Sequence, residues 1–183
     1  MKNTKKLTLF ILTFFLISNL AFSKEIVTLK PGENSYEKNG LTLKVIIIDS
    51  WEQTMEVMKT GKGNVQQIIP EDKFELGSQA IPFILYKTNA TKKGKAKITY
   101  NIKVIRPDGS LDFERVNLKV IDGKPAPELG MYQQPSGCKT KKTDPVGIYK
   151  FLISVHDHYK DVQVDFELKF EVVEKFNTIK IIR

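Results

Sequence analysis

The chain has 183 residues, 41% hydrophobic and 27% charged, with a formal net charge of +8, two histidines and one cysteine. One cysteine excludes an internal disulfide framework. Its lysines lie scattered among acids and form no basic stripe interleaved with aromatics, which argues against a nucleic-acid reader.

The first residues read as a targeting segment. Lys2, Lys5 and Lys6 precede an apolar run from Leu7 to Leu20, and Ala21 and Ser23 then stand before Lys24. A basic start, a short apolar core and small residues at the cleavage positions mark a secretory signal peptide over 1–23. Removing it lowers the net charge from +8 to +5. The mature part, 24–183, is expected to be a single domain large enough for a sizeable core. No cysteine follows the cleavage position and no second apolar run reaches spanning length, so neither a lipid anchor nor a membrane span after signal cleavage is expected.

Along the mature chain, strand patterns dominate. "EIVTLK" after the signal peptide is a weak strand candidate; "LTLKVIIID" is a stronger and more buried one. "DSWEQTMEVMKTGKG" predicts the one helix. Ser50 can cap it with Gln53 reaching back, Trp51, Met55 and Met58 fall on one face, and Gly61 ends it. So short a helix must borrow stability from a sheet it covers. "AIPFILYKT" is the next strand. In "KITYNIKV", Ile98, Tyr100, Ile102 and Val104 alternate with polar residues; "RPDGS" turns the chain, and "ERVNLKV" places Val116, Leu118 and Val120 on one face. From Asp122 to Gly147 the chain is rich in proline and glycine, with a basic cluster at Lys139, Lys141 and Lys142. It reads as a long functional loop with a short strand around Leu129 to Tyr132.

Two clean strands follow. In "IYKFLISVHDH", Tyr149, Phe151, Ile153 and Val155 share one face, and Asp157 follows that series. Lys150, Leu152, Ser154, His156 and His158 share the other. "VQVDFELKFEV" alternates without a break, with Val162, Val164, Phe166, Leu168, Phe170 and Val172 facing in. Such alternation belongs to antiparallel sheets with one wet face. "NTIKII" is a weak final candidate. The fold class expected is all-β, an antiparallel two-layer sandwich with one short helix.

The stretch "DPVGIYKF" sharpens this expectation. Asp144, Gly147 and Tyr149 lead into a core strand, with Phe151 buried two residues on. This resembles the acidic residue, glycine and tyrosine that open a core strand in immunoglobulin-like sandwiches. It departs from antibody-type domains in having Phe151 where those carry a disulfide cysteine, and in one extra residue between the aspartate and the tyrosine. The resemblance covers roughly Ile81 to Val173. It implies a disulfide-free immunoglobulin-like or fibronectin type III-like module and says more about fold than function.

Chemistry is sparse. His156 and His158, about 6–7 Å apart along a strand, could share a metal ion, but zinc wants about four ligands or three and a water. Ser154 shares a face with His156, yet the chain has no G-x-S-x-G elbow and no phosphate-cradling loop. No catalytic residues are expected, and no cofactor. The reading is a non-enzymatic, periplasmic or secreted binding or assembly module of the cell envelope. It would contact an envelope protein or glycan through sheet edges and the 122–147 loop, with Met131, Tyr132, Lys139, Lys141 and Lys142 as contact residues. The alternative reading is a periplasmic metal-binding protein using His156 and His158.

Overall fold

The computed structural model describes residues 26–28, 35–60, 72–88, 93–132 and 136–176; side chains at 26–28 and 57–60 are not part of that description. The signal-peptide segment, Gly61 and the "NTIKII" candidate lie outside the described residues.

Most of the described residues are in strands, arranged in two sheets. One sheet contains β3 (Leu41–Ile48) between β2 (Ser35–Lys38) and β5 (Gln79–Thr88), with β8 (Gly130–Met131) and β9 (Cys138–Lys139) along the far side of β5. The other runs β11 (Val162–Val173), β10 (Gly147–Asp157), β6 (Lys95–Ile105), β7 (Leu111–Pro125). Two three-residue strands, β1 (Ile26–Thr28) and β4 (Lys73–Glu75), pair in parallel with the outer side of β11. The first sheet is called the B sheet below and the second the A sheet.

Period-two alternation produces the core as expected. Tyr149, Phe151, Ile153 and Val155 of β10 and all six apolar residues of β11 from Val162 to Val172 are buried. They meet Leu41, Leu43, Val45 and Ile47 of β3 and Ile84 and Tyr86 of β5 in one continuous core between the sheets. Phe151 and Tyr149 stack on Phe170 with ring centroids 4.9 and 5.4 Å apart. Tyr100 of the A sheet meets Tyr132, beside β8 of the B sheet, edge-to-face at 4.6 Å.

β3 and β5 are buried on both faces. Ile46, Ile48, Ile81, Phe83 and Leu85 point away from the shared core and form a second cluster. The helix α1 (Trp51–Thr60) covers it with Trp51 and Met55, Trp51 lying 5.8 Å from Phe83. Ser50 caps the helix as expected, accepting from the Gln53 amide at 3.3 Å. The sheet lends this short helix its stability, since ten residues alone are marginal in water.

Two turns set the register. Asn39 and Gly40 both have positive φ (48° and 73°) and close β2 onto β3 as a two-residue hairpin, the geometry an Asn-Gly pair favours. Gly147, at φ 130°, opens β10 where an added Cβ would meet Pro107 at 3.2 Å, so the β6–β7 turn sits against the start of β10.

Two expectations change. Val116 is 56% exposed rather than sharing a face with Leu118 and Val120. β7 shifts register against β6 between Tyr100 and Ile102, where Asn117 takes φ 55° and donates its amide to Asn101 Oδ1 at 2.8 Å. A bulge of this kind breaks the alternation. The long loop is also largely ordered. β7 extends to Pro125, and the chain then returns to the B sheet as β8 and β9.

Candidate functional site

Part of the expected contact loop is packed into the fold rather than presented. Tyr132 is 1% exposed, its amide donating to the Ile84 carbonyl, so it belongs to the core and not to a contact surface. Met131 is half-buried against the cluster beneath α1. Lys139, Lys141 and Lys142 remain exposed. The segment reads as a strand once its alternation is noticed. Ser136, Cys138 and Thr140 point in while Lys139 and Lys141 point out, a period of two hidden by polar composition. Thr140 fastens the end of β9, its hydroxyl accepting from the Gly77 amide at 2.9 Å and reaching the Ser78 carbonyl at 3.2 Å.

Cys138 is a buried thiol. It lies 3.9 Å from Asp112 Oδ2, and Asp112 is in turn held in an ion pair by Arg106. Burial, then the charges of Asp112 and Asp144, pushes the thiol up to about 12. A thiol so protonated is a poor nucleophile.

The two sheets differ on their outer faces. α1 and its apolar cluster cover the B sheet, whereas no described element covers the A sheet. There the outer side chains of β6, β10 and β11 form a shallow hollow of about 640 Å³. Its shape follows from side-chain length. Asn101, Ser154 and Asp165 are direct cross-strand neighbours in one row, and all three are short. Longer side chains, Lys103, Glu114, Gln163 and Glu167, stand around them, with Leu152 at 36% exposure as an exposed apolar side chain and Ile153 and Phe166 also on the lining. The charges are internally matched. Lys103 pairs with Glu114 at 3.0 Å, and Lys150 and Lys169 reach Glu167 at 3.6 and 3.4 Å. Gln163 donates to Asp165 Oδ1 at 2.9 Å. The hollow thus offers amide, hydroxyl and carboxylate groups on a nearly neutral rim.

The outer edge of the A sheet is less inviting. β7 is 15 residues long, but four register shifts break its pairing with β6, and Glu114, Arg115, Lys119 and Lys124 stand exposed along it. Bulges and charges are the devices by which edge strands resist pairing with another chain.

His156 and His158 close the same face at the end of β10. Their rings lie 4.2 Å apart, centroid to centroid, tilted by 43°. His156 Nε2 is 3.4 Å from Asp161 Oδ1 and His158 Nε2 is 2.8 Å from Thr99 Oγ1. Burial, then the charges of His156 and Lys97, lowers His158 below the usual imidazole range, against the pull of Asp157 and Asp122. Between them Asp157 points inward, as the alternation predicts. It is fully buried, accepting from Thr88 Oγ1 at 3.0 Å and from the amides of Tyr159 and Lys160 at 3.0 and 3.3 Å. Among the described residues, no cluster of three or more His, Cys, Asp or Glu side chains is arranged to hold a metal ion.

No family model and no curated protein matches this chain. Among solved structures it is similar to a family 123 glycoside hydrolase from Clostridium perfringens, at 13% identity and a TM-score of 0.39, covering 73% of this chain and 28% of that one. It is also similar to the CARDB domain of a Pyrococcus furiosus protein solved in complex with di-metal ions, at 13% identity and a TM-score of 0.35, covering 82% of this chain and 97% of that one. The chain therefore spans little more than a quarter of the hydrolase. Likeness at this level says nothing about activity.

Proposed function

We propose that this chain is an exported, non-enzymatic binding module of the cell envelope, built as an immunoglobulin-like sandwich and making its contact through the open face of the A sheet. The carrying observation is the asymmetry of the two outer faces. One is covered by α1 and its apolar cluster; the other is left open over a hollow floored by Asn101, Ser154 and Asp165. A depression in an uncovered face, where a few hydrogen-bonding groups converge over a largely apolar lining, has the form of a ligand-binding site.

The immunoglobulin-like reading draws support from the connectivity. The chain passes from β5 of one sheet to β6 and β7 of the other, returns as β8 and β9, and crosses again to β10 and β11. It draws further support from the Tyr149 hydroxyl, which bonds back to the Pro145 carbonyl at 2.9 Å, the tyrosine-corner arrangement of such sandwiches. Export rests on the amino-terminal pattern of residues 1–23. The absence of a nucleophile elbow from the sequence favours binding over catalysis. The bulged edge of β7 and the burial of Tyr132 move the expected contact away from edge and loop and onto the open face.

The test is site-specific photo-crosslinking in the envelope, with a photoreactive residue at Ser154 or Asn101 and a control at Lys44 on the B sheet. Discrete adducts at the first two positions and none at Lys44 are expected. Adducts of equal yield at all three, or none at Ser154 and Asn101, would overturn the placement.

A further inference from the structure

The histidine pair at the end of β10 is not absorbed by the binding surface and has its own chemistry. His156 is the last outward residue of β10 and His158 the first turn residue after it, so the strand end brings two imidazoles to 4.2 Å between centroids. A metal about 2.0–2.1 Å from two imidazole nitrogens holds those nitrogens roughly 3 Å apart, a spacing compatible with ring centroids 4.2 Å apart. Both rings engage their neighbours through Nε2, one toward Asp161 and the other toward Thr99. A carboxylate only accepts, so Asp161 favours the proton on His156 Nε2 and leaves the lone pair on Nδ1. The Thr99 hydroxyl can accept as well, which permits the same tautomer at His158. An outer partner on the far nitrogen is the support that metal-bound histidines commonly have.

The choice of metal follows from the ligand count. With two protein nitrogens and water in the remaining positions, zinc falls short of its usual three or four protein ligands. Imidazole sites bind Cu(II) most strongly among the first-row divalent ions, and Cu(II) accepts a tetragonal arrangement completed by water. We propose that His156 and His158 form a two-imidazole Cu(II) site, with Asp161 and Thr99 orienting the rings.

The experiment titrates the purified protein with Cu(II) at neutral pH in a non-coordinating buffer, by calorimetry and electron paramagnetic resonance. One Cu(II) per chain is expected, with hyperfine structure from two nitrogens. His156→Gln and His158→Gln should each weaken binding by tenfold or more, and Zn(II) should bind more weakly than Cu(II). Paramagnetic broadening of backbone amide signals gives a readout that needs no variant. Broadening centred on residues 97–101 and 155–162 supports the site. Broadening centred elsewhere, unchanged affinity in both variants, or Zn(II) binding as tightly as Cu(II) would overturn it.

Discussion

The hydroxyl of Tyr149 donates to the carbonyl of Pro145 at 2.9 Å, fastening the first turn of β10 to the segment that enters it. The same ring stacks on Phe170, so one side chain joins an entry turn to the core. Tyr149→Phe keeps the stack and removes the bond. A net loss of about 0.5–1.5 kcal/mol is expected, read as a lower urea midpoint with an unchanged slope. An unchanged midpoint would show that the bond contributes nothing.

Asp157 is the larger structural commitment. Its carboxylate is fully buried and accepts from a threonine of the opposite sheet and from two amides of the turn it precedes. Asp157→Ala leaves those donors without their acceptor, and about 2–4 kcal/mol of stability should go with them. Thr88→Val removes only one of the bonds and should cost less. If Asp157→Ala changed stability by under about 0.5 kcal/mol, the carboxylate would not be the joint between the sheets.

Alkaline conditions should weaken the fold. Burial is the leading cause that raises Cys138 from 9.0 to about 12 and Tyr149 from 10.0 to about 12. For an acid raised on folding, the folded state favours the protonated form. Its contribution is complete below the unfolded value and is lost as pH climbs toward the folded one. Thermal midpoints should therefore hold near neutral pH and fall progressively from about pH 9 upward. Cys138→Ala should make that fall shallower than in the parent. An equal or steeper fall in the variant would remove the thiol from the explanation.

Gly130 tests how β8 lies on the B sheet. A Cβ added there would run into the Tyr86 ring at Cζ, inside any allowed contact, and the Tyr86 ring is buried. Gly130→Ala should destabilise by about 1–3 kcal/mol through forced overpacking. Tyr86→Leu removes the clashing ring atoms, so the double variant should lose less than the sum of the singles. Strict additivity would mean that β8 does not approach Tyr86 as described.

Much of the architecture was legible residue by residue. Alternation in β6, β10 and β11 names nearly every core side chain that those strands contribute, because a pleated strand with one wet face must alternate. It even places Asp157 inward against the expectation for a carboxylate. β2 escapes the strand patterns although "KNG" carries the hairpin signal at Asn39 and Gly40. Tyr132 reads as a loop residue because proline, glycine and lysine surround it, while the inward series Ser136, Cys138, Thr140 is nearly free of large apolar residues.

The hollow lay outside sequence reasoning altogether. Asn101, Ser154 and Asp165 are unremarkable polar residues on three strands, more than fifty positions separating the first from the last. Only antiparallel pairing sets them in one row.

Composition and periodicity mark a strand-rich chain, the buried faces of β6, β10 and β11 and the amphipathic helix α1, since burial of apolar side chains at a spacing of two or of three and four is a local property of the chain. Which outer face is covered, which polar residues become neighbours and which loop side chains turn inward depend on strand register and on the crossing between sheets. Those are relations between distant segments, and they exist only once the sheets have formed and packed.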